Sequence, residues 1–243
     1  MAVSCTKLDL SKLFPNRRDA FAVVIDGLFT KKECEELITQ TEAIGYSEAL
    51  VGKGQVRVVE ARNNWRCIVD DVEKAKWIYE RVRPYVPTEW LGKKPVGLNE
   101  RLRFLKYHPG EYFKPHNDGI YVRDDNSQAS FVTVHLYLNE IPEGWGGETT
   151  FTTENMNYGR HRRRKDGTRD NAQGGVQTMP VRPVTGPCSA LAQPHEGSTL
   201  LKGVKYTMRT DVVYDLAGSA PVRTPRWGQK KPHPQGKADL PAK

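Results

Sequence analysis

Long hydrophobic runs are missing from this chain. The apolar stretch Phe21 to Ile25 falls far short of the roughly 18 residues that span a bilayer, so no membrane partner is expected. The opening MAVSCTKLDL has no apolar h-region, and the expected location is therefore cytoplasmic, without a secretory signal. Cysteine is scarce. Cys5, Cys34, Cys67 and Cys188 stand far apart, which excludes a zinc ribbon and a disulfide scaffold and suits a reducing cytosol. No internal repeat is visible. Hydrophobic residues make up only 37% of the 243 positions, a modest share for one large domain or two small ones. Acidic residues fall short of basic ones, and the net charge is +8. That excess is local. Residues 159–170 carry +4 and residues 216–243 carry +5, so the rest of the chain is close to neutral. The basicity reads as two solvated segments rather than a folded basic face, and a nucleic-acid partner is not expected.

Two helices are legible in the first half. Thr30 followed by Glu33 forms a capping box. Cys34, Leu37, Ile38, Thr41 and Ile44 supply an inner stripe, and Gly45 ends the helix. A second helix is expected from near Asp71, with Ala75, Ile78 and Val82 inward and Pro84 as its stop. From about residue 100 the pattern changes to short strand-like runs: 101–107, 112–118, 130–138, 147–151, 178–183, 188–193 and 204–214. Turns rich in Gly, Pro and Asn separate them, as in an all-β sandwich or barrel. Helices first and strands later argue against a parallel doubly wound sheet. Residues 1–19 read as irregular. Residues 155–177 read as a long flexible insert, and the proline-rich basic tail 217–243 has no predicted fold.

One segment carries chemistry. In Tyr107-His-Pro-Gly-Glu-Tyr-Phe-Lys-Pro-His116-Asn-Asp118, His116 and Asp118 are two apart and share a face if extended. A third metal ligand is available in His195 of Pro194-His195-Glu196-Gly197. Two histidines and one carboxylate leave open positions of the kind that suits non-haem Fe(II) oxygen chemistry. Ten residues beyond His195 lies Lys205, followed by Thr207 and Arg209 on the same strand face. An inward row of Lys, Thr and Arg is costly without an anion to satisfy it, and a dicarboxylate would do so.

These ordered motifs resemble the Fe(II)/2-oxoglutarate-dependent dioxygenases, and within them the prolyl 4-hydroxylase-like group. Further matching stretches are Arg101 to Tyr107, Val132 to Asn139 and Gly146 to Phe151, and the likeness covers about residues 98–215. The resemblance implies a mainly β fold with supporting α-helices, a double-stranded β-helix or jelly-roll (cupin-like) barrel. It implies a single domain over 20–216, with helical support at 30–84. It implies Fe(II) on His116, Asp118 and His195, with O2 and 2-oxoglutarate as co-substrates. Lys205 then falls on the residue for the distal carboxylate, Tyr107 and Tyr137 on its supports, and Thr207 on an assisting hydroxyl. His135 stands where the family commonly has an apolar residue, and the stretch before His195 is shorter than usual.

Parity extends the list of candidates. If Tyr107 and Tyr137 face inward, so do Arg103, Leu105, Thr133 and His135. Arg103 is a substrate contact or a structural ion pair. His135 is a substrate contact or a hydrogen-bonded core histidine. Arg209 serves co-substrate, substrate carboxylate or a pairing with Asp211. Asn64 and Arg66 lie on a loop that flanks the active-site mouth in proteins of this type, or in a plain Asn-rich turn. His108, His161 and His233 read as surface residues. The expected reaction oxidises a substrate C–H bond and releases succinate and CO2. Hydroxylation is the default outcome, and desaturation or cyclisation uses the same oxidant. The expected substrate is a small carboxylated molecule such as an amino acid or a natural-product intermediate. A peptidyl-prolyl or other protein hydroxylase is the alternative. A non-enzymatic jelly-roll binding an acidic partner through its basic tail is disfavoured by the triad, and a zinc cupin hydrolase by Lys205. The 159–177 loop is expected to cover the barrel mouth as a lid.

Overall fold

The computed structural model describes residues 2–16, 20–50, 55–153, 178–181, 188–191 and 194–217. The 155–177 insert with its lid role, the tail beyond 217, His161 and His233 lie outside the described residues. In chain order the first half holds β1 (Ser4–Lys7), β2 (Ala22–Asp26), α1 (Lys31–Ile44), β3 (Ser47–Glu48), β4 (Trp65–Asp70) and α2 (Val72–Val82), then a short 3-10 turn. The second half holds β5 (Pro95–Leu98), β6 (Arg101–Tyr107), β7 (Phe113–His116), β8 (Gln128–Tyr137), β9 (Thr149–Thr152), β10 (Thr178–Val181), β11 (Cys188–Leu191), β12 (His195–Gly197) and β13 (Lys205–Asp215). Among the described residues no helix is long and apolar enough to cross a membrane.

The strands form two antiparallel sheets. The larger runs β1-β2-β11-β8-β13-β6-β4-β3, with β5 on the far part of β13, and the smaller runs β10-β9-β12-β7. This is the mainly β jelly-roll expected. Alternation along the large sheet separates two environments. Val132, Val134 and Leu136 of β8, Leu102 and Phe104 of β6 and Met208 of β13 join Cys34, Leu37, Ala75, Ile78 and Val82 of the helices in one core. The alternate positions, including Thr133, His135, Lys205 and Thr207, are also buried but polar. A second row of polar side chains buried within a sheet needs a purpose, since each costs free energy unless paired.

Local chemistry accounts for the helices. Thr30 accepts from the Glu33 N–H, and the Glu33 carboxylate accepts from the Thr30 N–H, the reciprocal capping box. The helix α2 starts on Asp71, which accepts from Lys74 N–H. Arg81 of α2 bridges to Glu33 of α1 at 2.7 Å and tilts over the Trp77 ring at 4.3 Å, so the two helices are also joined at their polar margin.

The N-terminus departs from the irregular segment expected. Ser4–Lys7 pair with Asp26–Val23 of β2, and Leu10 and Leu13 are buried with Ala22, Phe151 and Val181. All four β1 side chains are exposed, so this edge strand is held by backbone hydrogen bonds and leaves no apolar alternation to read. The two-residue β3 is likewise fully exposed, and β4, with only Cys67 buried along it, shows no clean alternation either.

Candidate metal centre

His116 closes β7, and His195 opens β12 directly opposite it. Antiparallel pairing thus brings together two residues far apart in the chain, with ring centroids 4.5 Å apart. Asp118 lies two residues beyond β7, where the chain leaves the small sheet. Its Oδ1 is 3.7 Å from His116 Nε2, and its Oδ2 is 3.8 Å from His195 Nε2. One ligand atom from each of the three lies within 4.8 Å of the others. Two donors each about 2.1 Å from one ion sit at most roughly 4 Å apart, so both histidine–carboxylate separations fit a shared cation.

Protonation suits the same role. His116 Nδ1 lies 2.9 Å from the Lys114 carbonyl. A carbonyl only accepts, so Nδ1 holds the proton and Nε2 keeps its lone pair for a metal. Burial, and then the neighbouring His195, pushes the His116 pKa down to about 3, which keeps the ring neutral. Burial alone would raise the Asp118 pKa. The Arg209 guanidinium outweighs it, so the carboxyl is held ionised, well below its usual range. The Thr133 hydroxyl donates to Asp118 Oδ2 at 2.7 Å, and Arg209 Nη2 lies 3.1 Å from Oδ1. These contacts set the rotation of the carboxylate.

Lys205 occupies the deep end. It is 1% exposed and paired in register with Tyr107. Its Nζ sits 4.8 Å from the Tyr107 ring and 5.9 Å from that of Tyr137, and it donates to the Gly147 carbonyl at 2.5 Å. Burial pushes its pKa down to about 7, against the pull of Glu148. Burial likewise pushes the Tyr107 phenol up to about 12. A lysine in this state gains by meeting a carboxylate. Thr207 Oγ1, next along the face, is buried without a hydrogen-bond partner among the described residues.

The other candidates divide. Arg209 donates to Asp211 at 2.8 Å as well as reaching Asp118, and its Nε has no hydrogen-bond partner among the described residues. Arg103 lies 3.4 Å from Asp211, the carboxylate that also accepts from Arg209. His135 is stacked on Tyr137. Arg66 donates to Gln55 at 2.7 Å and to the Leu50 carbonyl, and is engaged with that loop rather than with the triad. Asn64 accepts from Arg62 Nε at 2.9 Å.

Arg62 is the residue that sequence reasoning missed. Its guanidinium lies 4.1 Å over the Phe113 ring, and Phe113 stacks on His116 at 3.5 Å. It is 8% exposed, and its Nη2 is buried without a hydrogen-bond partner among the described residues. Burial pushes its pKa down to about 10. Its only sequence signal was its place just before the Asn63-Asn64 pair.

No protein-family model matches the sequence, and no curated protein matches it. Solved structures do. A prolyl-4-hydroxylase from Pseudomonas putida aligns with a TM-score of 0.52 at 16% identity, over 84% of this chain and 98% of that one. A prolyl hydroxylase from Trichoplax adhaerens, in complex with a hypoxia inducible factor oxygen degradation domain peptide fragment, aligns with a TM-score of 0.55 at 14% identity, over 85% and 89%. The chain has the prolyl hydroxylase fold. Within the prolyl hydroxylase fold of this chain, the triad lies between the two sheets and Lys205 lies deeper along the large one.

Proposed function

We propose that this protein is an Fe(II)- and 2-oxoglutarate-dependent dioxygenase acting on a C–H bond of a small carboxylated substrate. The observation that carries the reading is the pairing of a two-histidine, one-carboxylate cluster, its histidines on the small sheet, with a fully buried lysine on the large sheet. His116, Asp118 and His195 would hold Fe(II), and their donor set suits it. Fe(II) with 2-oxoglutarate and O2 supplies the oxidant and releases succinate and CO2. Lys205 binds the distal carboxylate of 2-oxoglutarate, with Tyr107 and Tyr137 as the walls beside it. That charge pair is buried, so it both anchors the co-substrate and excludes water from the inner end of the site. Thr133 and Arg209 fix the Asp118 carboxylate. Arg62 and Arg209 each keep a buried N–H without a partner among the described residues; Arg209 touches Asp118, and Arg62 lies over Phe113, which stacks on His116. Two such guanidiniums favour a substrate that brings its own anionic group.

The second reading is a peptidyl hydroxylase, supported by the peptide bound to the Trichoplax adhaerens protein of the same fold. Iron-dependent succinate formation, measured with a panel of free amino acids and a panel of proline-containing peptides, separates the two. Stimulation by free amino acids and none by peptides is expected. Stimulation by peptides alone would replace the first reading by the second.

A further inference from the structure

Thr133, His135 and Tyr137 follow one another on the inner face of β8. Thr133 holds the metal-ligand carboxylate of Asp118, and the Tyr137 ring borders Lys205 Nζ. His135 therefore stands between the two ends of the site. In register it faces Arg209 across β13. Its ring lies nearly parallel to that of Tyr137, with centroids 5.0 Å apart and an angle of 12°, which fixes the ring plane. The residue is 8% exposed, and its Nε2 is buried without a hydrogen-bond partner among the described residues. An apolar side chain would fill this position without leaving a polar atom unsatisfied, so the imidazole costs stability unless a ligand completes it.

The chemistry of the ligand selects the contact. Along extended 2-oxoglutarate, the 5-carboxylate goes to Lys205, and the two methylene groups offer no acceptor. His135 stands one step from Tyr137 toward the Asp118 end, and in that direction the first acceptor beyond the methylene groups is the 2-oxo oxygen, with the 1-carboxylate farther along. We infer that His135 Nε2–H donates to the 2-oxo oxygen of the co-substrate, so that His135 is a co-substrate-binding residue which distinguishes a 2-oxo acid from a plain dicarboxylate. This deepens the dioxygenase reading and rests on it.

The test uses the full chain loaded with Mn(II) under anaerobic conditions, with calorimetric titration of 2-oxoglutarate and, separately, of glutarate, which keeps the five-carbon length and both carboxylates but has a methylene in place of the 2-oxo group. His135→Leu is expected to weaken 2-oxoglutarate binding at least about tenfold, the order lost when a buried acceptor is left without its donor. Glutarate affinity is expected to stay as in the wild type, and His135→Gln to retain most of the 2-oxoglutarate affinity. Without ligand, His135→Leu is expected to melt at or above the wild-type temperature, because an unsatisfied buried nitrogen has gone. Wild-type 2-oxoglutarate affinity in His135→Leu would overturn the inference. So would an equal loss for both ligands, or a fall in melting temperature with both affinities unchanged, which would mark an ordinary core histidine. Should His135→Leu fail to fold, His135→Phe carries the same comparison. A wild-type protein that binds neither ligand with Mn(II) would remove the dioxygenase reading itself. A Lys205→Ala loss beside an unaffected His135→Leu would overturn this inference alone.

Discussion

Lys205 is the residue whose state says most about the site. Replacing it by alanine should weaken 2-oxoglutarate binding by at least about 2 kcal/mol, the usual cost of removing one partner of a buried charge pair. Calorimetry on the metal-loaded protein reads this directly, and an unchanged affinity would move the anchor to Arg209. Burial also gives the lysine a pH signature. Its pKa is about 7 in the folded protein and about 10.4 in an unfolded chain. Between those values the unfolded chain binds one more proton, so this group makes stability rise with pH from about 7 to about 10.4. Lys205→Met should remove that rise in melting temperature, and 2-oxoglutarate should flatten it by restoring the charge. The same slope in Lys205→Met would assign it to other groups. At this scale the sequence placed His116, Asp118 and His195 together, and the fold clusters them, although the expected strand 112–118 ends at His116 and Asp118 lies beyond it; the ten-residue step from His195 to Lys205 is a one-dimensional fact. Arg62 was not legible in the sequence. Its place over Phe113, which in turn covers His116, arises from a bridge between residues 62 and 113, and only the folded chain shows the unpartnered Nη2.

Elements were readable where side chains alternate or cap. Thr30 and Glu33 marked the start of α1, and Arg101–Tyr107 was read with its observed bounds because apolar positions alternate along it. Strand β1 was hidden because its four side chains are all exposed, and the path into His195 because a short, polar strand carries no period. The turn before β9 shows how an element serves the site. Gly146 has φ +73, and a Cβ there would lie 2.2 Å from the Thr199 carbonyl oxygen. Gly147, with φ +78, presents its carbonyl to Lys205. Gly146→Ala should therefore cost about 2 kcal/mol or more, since backbone atoms must move on both sides. Chemical denaturation measures it. A loss within about 0.5 kcal/mol, as for an ordinary surface change, would mean the turn relaxes freely.

Across the whole molecule, two sheets divide the labour. The large sheet turns one face to the helices and a core of aliphatic side chains, and sets Tyr107, Thr133, His135, Tyr137, Lys205, Thr207 and Arg209 along the other. The small sheet contributes His116 and His195 from neighbouring strands. The chain's net charge of +8 has little bearing on this centre, where Asp118 and Asp211 meet Arg209. The account as a whole requires one ion on the triad and one 2-oxo acid reaching from it to Lys205. Anaerobic titration of the Fe(II)-loaded protein with 2-oxoglutarate tests this most directly, through the visible charge-transfer absorption of an Fe(II)–2-oxo-acid chelate. The wild type should develop the band at one equivalent of co-substrate, His116→Ala should not, and Lys205→Ala should need far more ligand. A wild-type protein that binds Fe(II) but develops no band, or a band that survives His116→Ala unchanged, would contradict the account.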